Sequence, residues 1–155
     1  MQPFPPTYIL RHQRENLKKC SLRGLEHRED YRFFTYPTSP LPDTTGYLLL
    51  AIDGSPLQKS DCGKGIFLLD ATWRYAAKML SFVDSEQVIE KRSIPGGFRT
   101  AYPRRQNDCP NPEEGLASIE ALYIAYILMS RDPTGLLDNY HWKDLFLEKN
   151  RTLLS

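Results

Sequence analysis

The sequence predicts an α/β domain, a parallel sheet followed by a mostly helical C-terminal part. Nearly all-apolar runs closed by turn residues, Gly46–Ile52 and Gly65–Leu69, suit strands buried on both faces. Beyond Asp70 the apolar spacing becomes helical, with Trp73, Ala76, Ala77 and Leu80 at i, i+3, i+4 and i+7. The 155 residues are 41% hydrophobic and 25% charged, which excludes wholesale disorder and leaves room for one domain or two small lobes sharing a core. The lobe boundary falls at 92/93, with residues 1–92 supplying the sheet lobe and 93–155 a loop and the helical lobe.

Thr7–Leu10 is a short β-prone run behind a proline-rich lead. Arg32–Tyr36 is a second, stopped by Pro37 and by a loop holding Pro40, Pro42 and Asp43. Asp53-Gly54-Ser55-Pro56 closes the third strand, and Pro56–Cys62 is the stretch left for a short helix before the fourth. Asp70 or Thr72 can cap the helix that carries Trp73. Ser93–Pro112 is a long irregular stretch around Pro95-Gly96-Gly97, and loops of that length in compact domains are usually functional. Glu114–Ser130 reads as a buried helix, apolar on most sides through Leu116, Ile119, Leu122 and Tyr126. Tyr140–Leu154 is a final amphipathic helix with Trp142, Leu145 and Phe146 inward.

The net charge of +1 hides a segregation. Arg11, Arg14, Lys18, Lys19 and Arg23 face one acid, Glu15, and Lys91, Arg92, Arg99, Arg104 and Arg105 face none, so these stretches carry +4 and +5. Such clustering suits a surface that tracks a polyanion, as well as two solvated loops. Cys20, Cys62 and Cys109 form no CxxC pair, which argues against a disulfide framework or a zinc ribbon. His12, His27 and His141 have no metal-ligand spacing and read as surface or interface residues. The longest apolar runs fall short of a membrane span, and the opening lacks the pattern of a secretory signal, so a cytoplasmic protein without a membrane partner is expected.

The chemistry concentrates at Leu69-Asp70-Ala71-Thr72-Trp73. An acid stands at the carboxyl end of a buried strand as the chain turns into a helix, and in open α/β sheets that edge is where ligands bind. Such a carboxylate serves as a base, a cap, or both.

Asp70-Ala71-Thr72-Trp73 also resembles the D-x-S/T-W signature of the DTW-domain and ribosome-biogenesis RNA aminocarboxypropyltransferase superfamily. Lys18-Lys19-Cys20-Ser21 resembles its K-K-C-T/S element. Tyr102-Pro103-Arg104-Arg105, followed by Gly115-Leu116-Ala117-Ser118-Ile119-Glu120-Ala121, resembles its Y-x-I/L-R-K and G-L-A/S-T-x-E-A block. Trp142 to Asn150 resembles a W-x-x-x-F-L-x-x-N tail. The two end motifs, and the absence of a cysteine cluster before the first strand, bring the resemblance nearer the rRNA-modifying than the tRNA-modifying branch.

The resemblance implies a knotted, SPOUT-like fold that binds S-adenosylmethionine and transfers its 3-amino-3-carboxypropyl group to N3 of a uridine or pseudouridine in RNA. No metal is expected from the histidine and cysteine spacing, and the chain is read as a monomer. By motif position, Ser21, Leu69, Ile94, Leu116 and Ser118 would contact the cofactor. Trp73 with Ala76 and Ala77 would form a slot against the sulfonium, whose cation an indole face attracts. Asp70 is the candidate proton acceptor. Arg11, Arg14, Lys18, Lys19, Arg23, Arg99, Arg104 and Arg105 would hold phosphates, with Tyr102 stacking on a base. Glu120 is expected to anchor the long loop through an arginine. A knotted methyltransferase and a non-catalytic RNA-binding assembly factor are the alternatives; methylthioadenosine as product marks the transferase, and S-adenosylhomocysteine the methyltransferase.

Overall fold

The computed structural model describes residues 4–14, 20–71, 73–103 and 115–154. Its centre is a five-stranded sheet in the order β2-β1-β4-β3-β5. The strands are β1 (Thr7–His12), β2 (Tyr31–Tyr36), β3 (Tyr47–Pro56), β4 (Gly65–Asp70) and β5 (Glu90–Ser93), and every neighbouring pair is parallel. The apolar runs therefore became strands for the expected reason: both faces of this sheet are covered.

Side-chain alternation sorts the strands onto two cores. Leu10, Tyr47, Leu49 and Phe67 pack with Met79 and Val83 of α1 (Trp73–Glu86) on one face. Ile9, Tyr31, Leu48, Ile66 and Leu68 pack on the other with Ile119, Leu122 and Tyr126 of α2 (Ser118–Leu128) and Phe146 of α3 (Lys143–Lys149). The sheet is thus the middle of three layers, and the segment after 93 shares its core with the strands. Tyr47 lies opposite Gly65 and stacks on Tyr8 at 4.2 Å between ring centroids. A Cβ at Gly65 would collide with the Tyr47 ring, so the strand start requires glycine. Among the described residues no helix is long and apolar enough to cross a membrane.

Several boundaries differ from the sequence reading. The expected helix over Pro56–Cys62 is only a 3-10 turn, Lys59–Asp61, and β3 runs on to Pro56 through a break in register between Leu50 and Ser55. The inward stripe of α1 is Ala76, Met79, Leu80 and Val83, while Ala77 is exposed. β5 carries no apolar residue, so periodicity gives no sign of it. It is held as a short charged edge strand, Lys91 pairing with Asp84 at 2.9 Å and Arg92 with Asp61 at 3.2 Å. The final helix is two, α3 and α4 (Arg151–Leu154), parted at Asn150. The Asn150 side chain accepts from the Arg99 amide at 2.7 Å and donates both to the Arg99 carbonyl and to the Phe146 carbonyl of α3, each at 2.8 Å.

Candidate active site at the carboxyl edge of the sheet

Arg11 and Asp70 are register partners on the two central strands, β1 and β4. Both side chains therefore leave the sheet on the same face, that of α2. Arg11 Nε donates to Asp70 Oδ2 at 3.0 Å, and both residues are buried, at 9% and 3% exposure. A second Arg11 nitrogen, Nη1, donates to Glu26 at 3.0 Å, and the guanidinium lies 4.6 Å from the Phe33 ring centroid. Burial works against the Arg11 charge, but Cys20, Asp70 and Glu26 more than offset it and hold the group above its ordinary value.

Two further segments close on the same carboxylate. Cys20 Sγ donates to Asp70 Oδ2 at 3.2 Å, and Ser118 Oγ donates to Asp70 Oδ1 at 2.9 Å. Burial pushes the Cys20 thiol up to about 12, and the neighbouring Asp70 charge adds to the rise. Cys20 is therefore a neutral donor here, not a nucleophile. Next to it, Ser21 Oγ accepts from the Ile119 amide at 3.2 Å, so the loop after β1 satisfies a free amide in the first turn of α2. Ser21, Asp70 and Ser118 thus come together from three separate segments of chain.

The loop before α2 is fixed from below. Glu120, fully buried, accepts from Thr100 Oγ1 at 2.6 Å and the Ala117 amide at 2.8 Å through one oxygen. Its other oxygen accepts from the Ala101 amide at 2.8 Å and Tyr140 Oη at 2.9 Å. Glu120 does anchor the loop, but through a hydroxyl and an amide where an arginine was expected.

The remaining expected residues distribute as follows. Ile94 and Leu116 are half-buried against the α2-side core. Leu69 and Ala76 are half-buried too, but Leu69 projects to the α1 face and Ala76 belongs to α1, so neither side chain joins the Asp70 cluster. Trp73 opens α1; its side chain lies outside the described residues, as do Lys18, Lys19, Arg104 and Arg105. Arg14 and Arg23 are exposed. Arg99 is half-buried with Nη1 on the Phe98 carbonyl at 3.3 Å, and Tyr102 is half-buried against the α2-side core. Arg11, expected to hold a phosphate, is corrected to an internal partner of Asp70. Asp70 correspondingly turns to Arg11, Cys20 and Ser118, where a cap on α1 was one expectation. His12, expected at the surface, is 7% exposed and stacks on Tyr75 at 4.1 Å. Burial, then the Arg14 charge, lowers its affinity for a proton.

Sequence reasoning did not single out Cys20 or Glu26 as site residues. The signal for both was Arg11, which becomes informative once β1 and β4 are seen as neighbours.

No protein-family model matches the chain, and no curated protein matches it by sequence. Among solved structures it is similar to the SAM-dependent rRNA:acp-transferase Tsr3 from Vulcanisaeta distributa, with 21% identity and a TM-score of 0.72 over 97% of this chain and 80% of that one. At that identity the likeness shows a shared fold.

Proposed function

We propose that this chain is an S-adenosylmethionine-dependent RNA aminocarboxypropyltransferase. It moves the 3-amino-3-carboxypropyl group to N3 of a uridine or pseudouridine in rRNA and releases methylthioadenosine. The reading rests on one observation: Ser21, Asp70 and Ser118, from three separated motif segments, converge at one carboxyl edge of a sheet whose fold is shared with an rRNA:acp-transferase.

The residues present suit the substrate. The Ser21 hydroxyl and the start of α2 offer polar contacts for the polar end of S-adenosylmethionine, and Ser118, whose hydrogen goes to Asp70, adds an acceptor lone pair. Half-buried Ile94 and Leu116, with the backbone at Leu69, offer an apolar wall for its adenine. Trp73 and Ala76 stand at the start of α1 for the sulfonium side. When bound, the molecule supplies an electrophilic carbon on a good leaving group, and choice of that carbon over the methyl is a matter of orientation.

The attacking nitrogen must give up a proton as its bond to carbon forms. Asp70 is buried and meets the half-buried Ser118 hydroxyl at 2.9 Å. The proton therefore leaves the base through Ser118 to Asp70 Oδ1, while Arg11 and Cys20 hold Oδ2. Arg14 and Arg23 stand exposed for phosphates, joined by Lys18, Lys19, Arg99, Arg104 and Arg105, and Tyr102 stacks on a base. The same reading carries the knotted SPOUT-like winding, a DTW-type motif at Asp70, two lobes (1–92 and 93–155), a monomeric state and a cytoplasmic setting.

Carboxyl-labelled S-adenosylmethionine, incubated with the protein and RNA from cells lacking it, tests the function. Label in rRNA, methylthioadenosine as co-product and a modified uridine-type nucleoside by mass spectrometry are expected. S-adenosylhomocysteine as co-product, or unlabelled RNA, overturns the reading.

A further inference from the structure

On the face of the sheet opposite Asp70, the exposed side of α1 carries a stripe of one character. Arg74, Lys78, Ser81 and Ser85 recur at i, i+4, i+7 and i+11 and are all exposed, two cations followed by two hydroxyls with no acid between them on the stripe. The nearest acid of the helix, Asp84, pairs instead with Lys91 at 2.9 Å. Beside the stripe lies an open cleft of about 490 Å³ between α1 and the end of β2, lined by Tyr36, Ala77, Lys78, Ser81, Phe82 and Ser85.

The floor of the cleft is aromatic and fixed. Tyr36 meets Phe82 edge-on at 5.3 Å and also leans on His12, its register partner on β1, at 5.6 Å. His12 stacks in turn on Tyr75 of α1, so the rings are braced from both sheet and helix. Ser85 Oγ is tied to the Phe82 carbonyl at 2.7 Å, which leaves the cations as the flexible groups beside the rings. Rigid ring faces beside flexible cations are what a single-stranded nucleic acid needs: bases stack on the rings and phosphates meet the cations. A duplex keeps its bases inside its own stack and gains nothing from Tyr36.

We infer that this cleft binds an unpaired segment of RNA, a base lying against Tyr36 and Phe82 and the flanking phosphates against Arg74 and Lys78. The inference rests on the proposed RNA substrate and adds where a second stretch of that RNA runs. β1 is one strand from β4 and β2 is two, so Tyr36 lies roughly 10 Å across the sheet from the column of Asp70. The RNA then wraps the carboxyl edge, with the reacting nucleotide on the α2 face and a neighbouring single strand on the α1 face.

The test is titration of a fluorescein-labelled oligouridylate, read by anisotropy over a range of salt. Tyr36→Ala should weaken binding about ten-fold, and Tyr36→Phe should not. The double variant Arg74→Gln, Lys78→Gln, exposed and away from the core, should lower the salt slope by about 0.7 for each cation removed. A duplex of equal length should be indifferent to Tyr36→Ala. No binding by the wild type, or equal binding by all variants at every salt, overturns the inference. Transfer of label to rRNA is followed on the same proteins: wild-type transfer with unchanged oligouridylate binding in the variants sinks the cleft alone, and weakened binding without any wild-type transfer sinks the enzymatic reading alone.

Discussion

Ser118 Oγ donates to Asp70 Oδ1 at 2.9 Å, joining the first turn of α2 to the last residue of β4 across 48 positions of sequence. Asp70 is 3% exposed, and Ser118 is its half-buried partner. If the proton path runs between them, Asp70→Asn and Ser118→Ala should each lower the rate of transfer roughly 10²–10⁴-fold. The affinity for S-adenosylmethionine, by calorimetry, should change only a few-fold. Ser118→Ala is the sharper variant, because it leaves the Arg11–Asp70 pair in place. A wild-type rate in Ser118→Ala would reduce Asp70 to an anchor.

Arg11 is the cation of a buried pair, and its removal strands charge. Arg11→Met keeps an aliphatic stem near Phe33 but leaves the Asp70 carboxylate without a counter-ion. Breaking a buried pair from one side costs about 3–5 kcal/mol, and removing both partners costs much less. Urea unfolding should therefore show a large loss for Arg11→Met and partial recovery in Arg11→Met, Asp70→Asn. Equal losses in the single and double variants would mean that the pair contributes through packing alone.

The Cys20 thiol gives a pH signature. Its proton is held to about 12 in the fold against 9.0 ordinarily, because burial and then Asp70 disfavour the thiolate. Between those values the folded chain binds more protons than the unfolded one, so stability falls as pH rises. The stabilisation is complete below 9.0 and is lost progressively toward about 12. Cys20→Ser, which does not titrate there, should flatten that alkaline decline in melting temperature. Peptide mapping after iodoacetamide at pH 8 should find exposed Cys62 alkylated well before buried Cys20. Equal labelling of the two would show that the Asp70 cluster opens freely.

β3 and β4 were legible because their apolar runs report burial directly, and β1 and β2 because their residues are β-prone. β5 was not, since Glu90-Lys91-Arg92-Ser93 owes its place to ion pairs with distant residues. The face of α1 was misread because alanine fits inside or outside a helix equally well, and Met79 and Val83 decide the rotation. Asp70, Ser21 and Ser118 were legible as motif residues, although Ser118, expected inside a helix over 114–130, opens α2 instead. Arg11 was not, because counting charges cannot separate a cation facing solvent from one in register with a buried acid. The break at Asn150 has the same origin: its amide bonds to Arg99, far along the chain, and helical periodicity passes over it.

Glu120 holds the loop that leads into α2, and a conservative variant should release it. Its two oxygens take four hydrogens, from Thr100, Ala101, Ala117 and Tyr140. Glu120→Gln keeps one acceptor oxygen and turns the other into a donor, facing an amide and a hydroxyl of which only the hydroxyl can rotate to accept. At least one buried donor then goes without a partner, at a cost of about 1–3 kcal/mol, more where the acceptor had been charged. The loss should be local first, because the loop keeps the Asn150 clamp on Arg99 and the Lys149 bond to the Thr100 carbonyl at 3.2 Å. Hydrogen exchange should therefore speed up at Ala101 and Tyr102 while the amides of β1 and β4 keep their protection. Uniform acceleration across the sheet would instead make Glu120 part of the global core, with no separate hold on the loop.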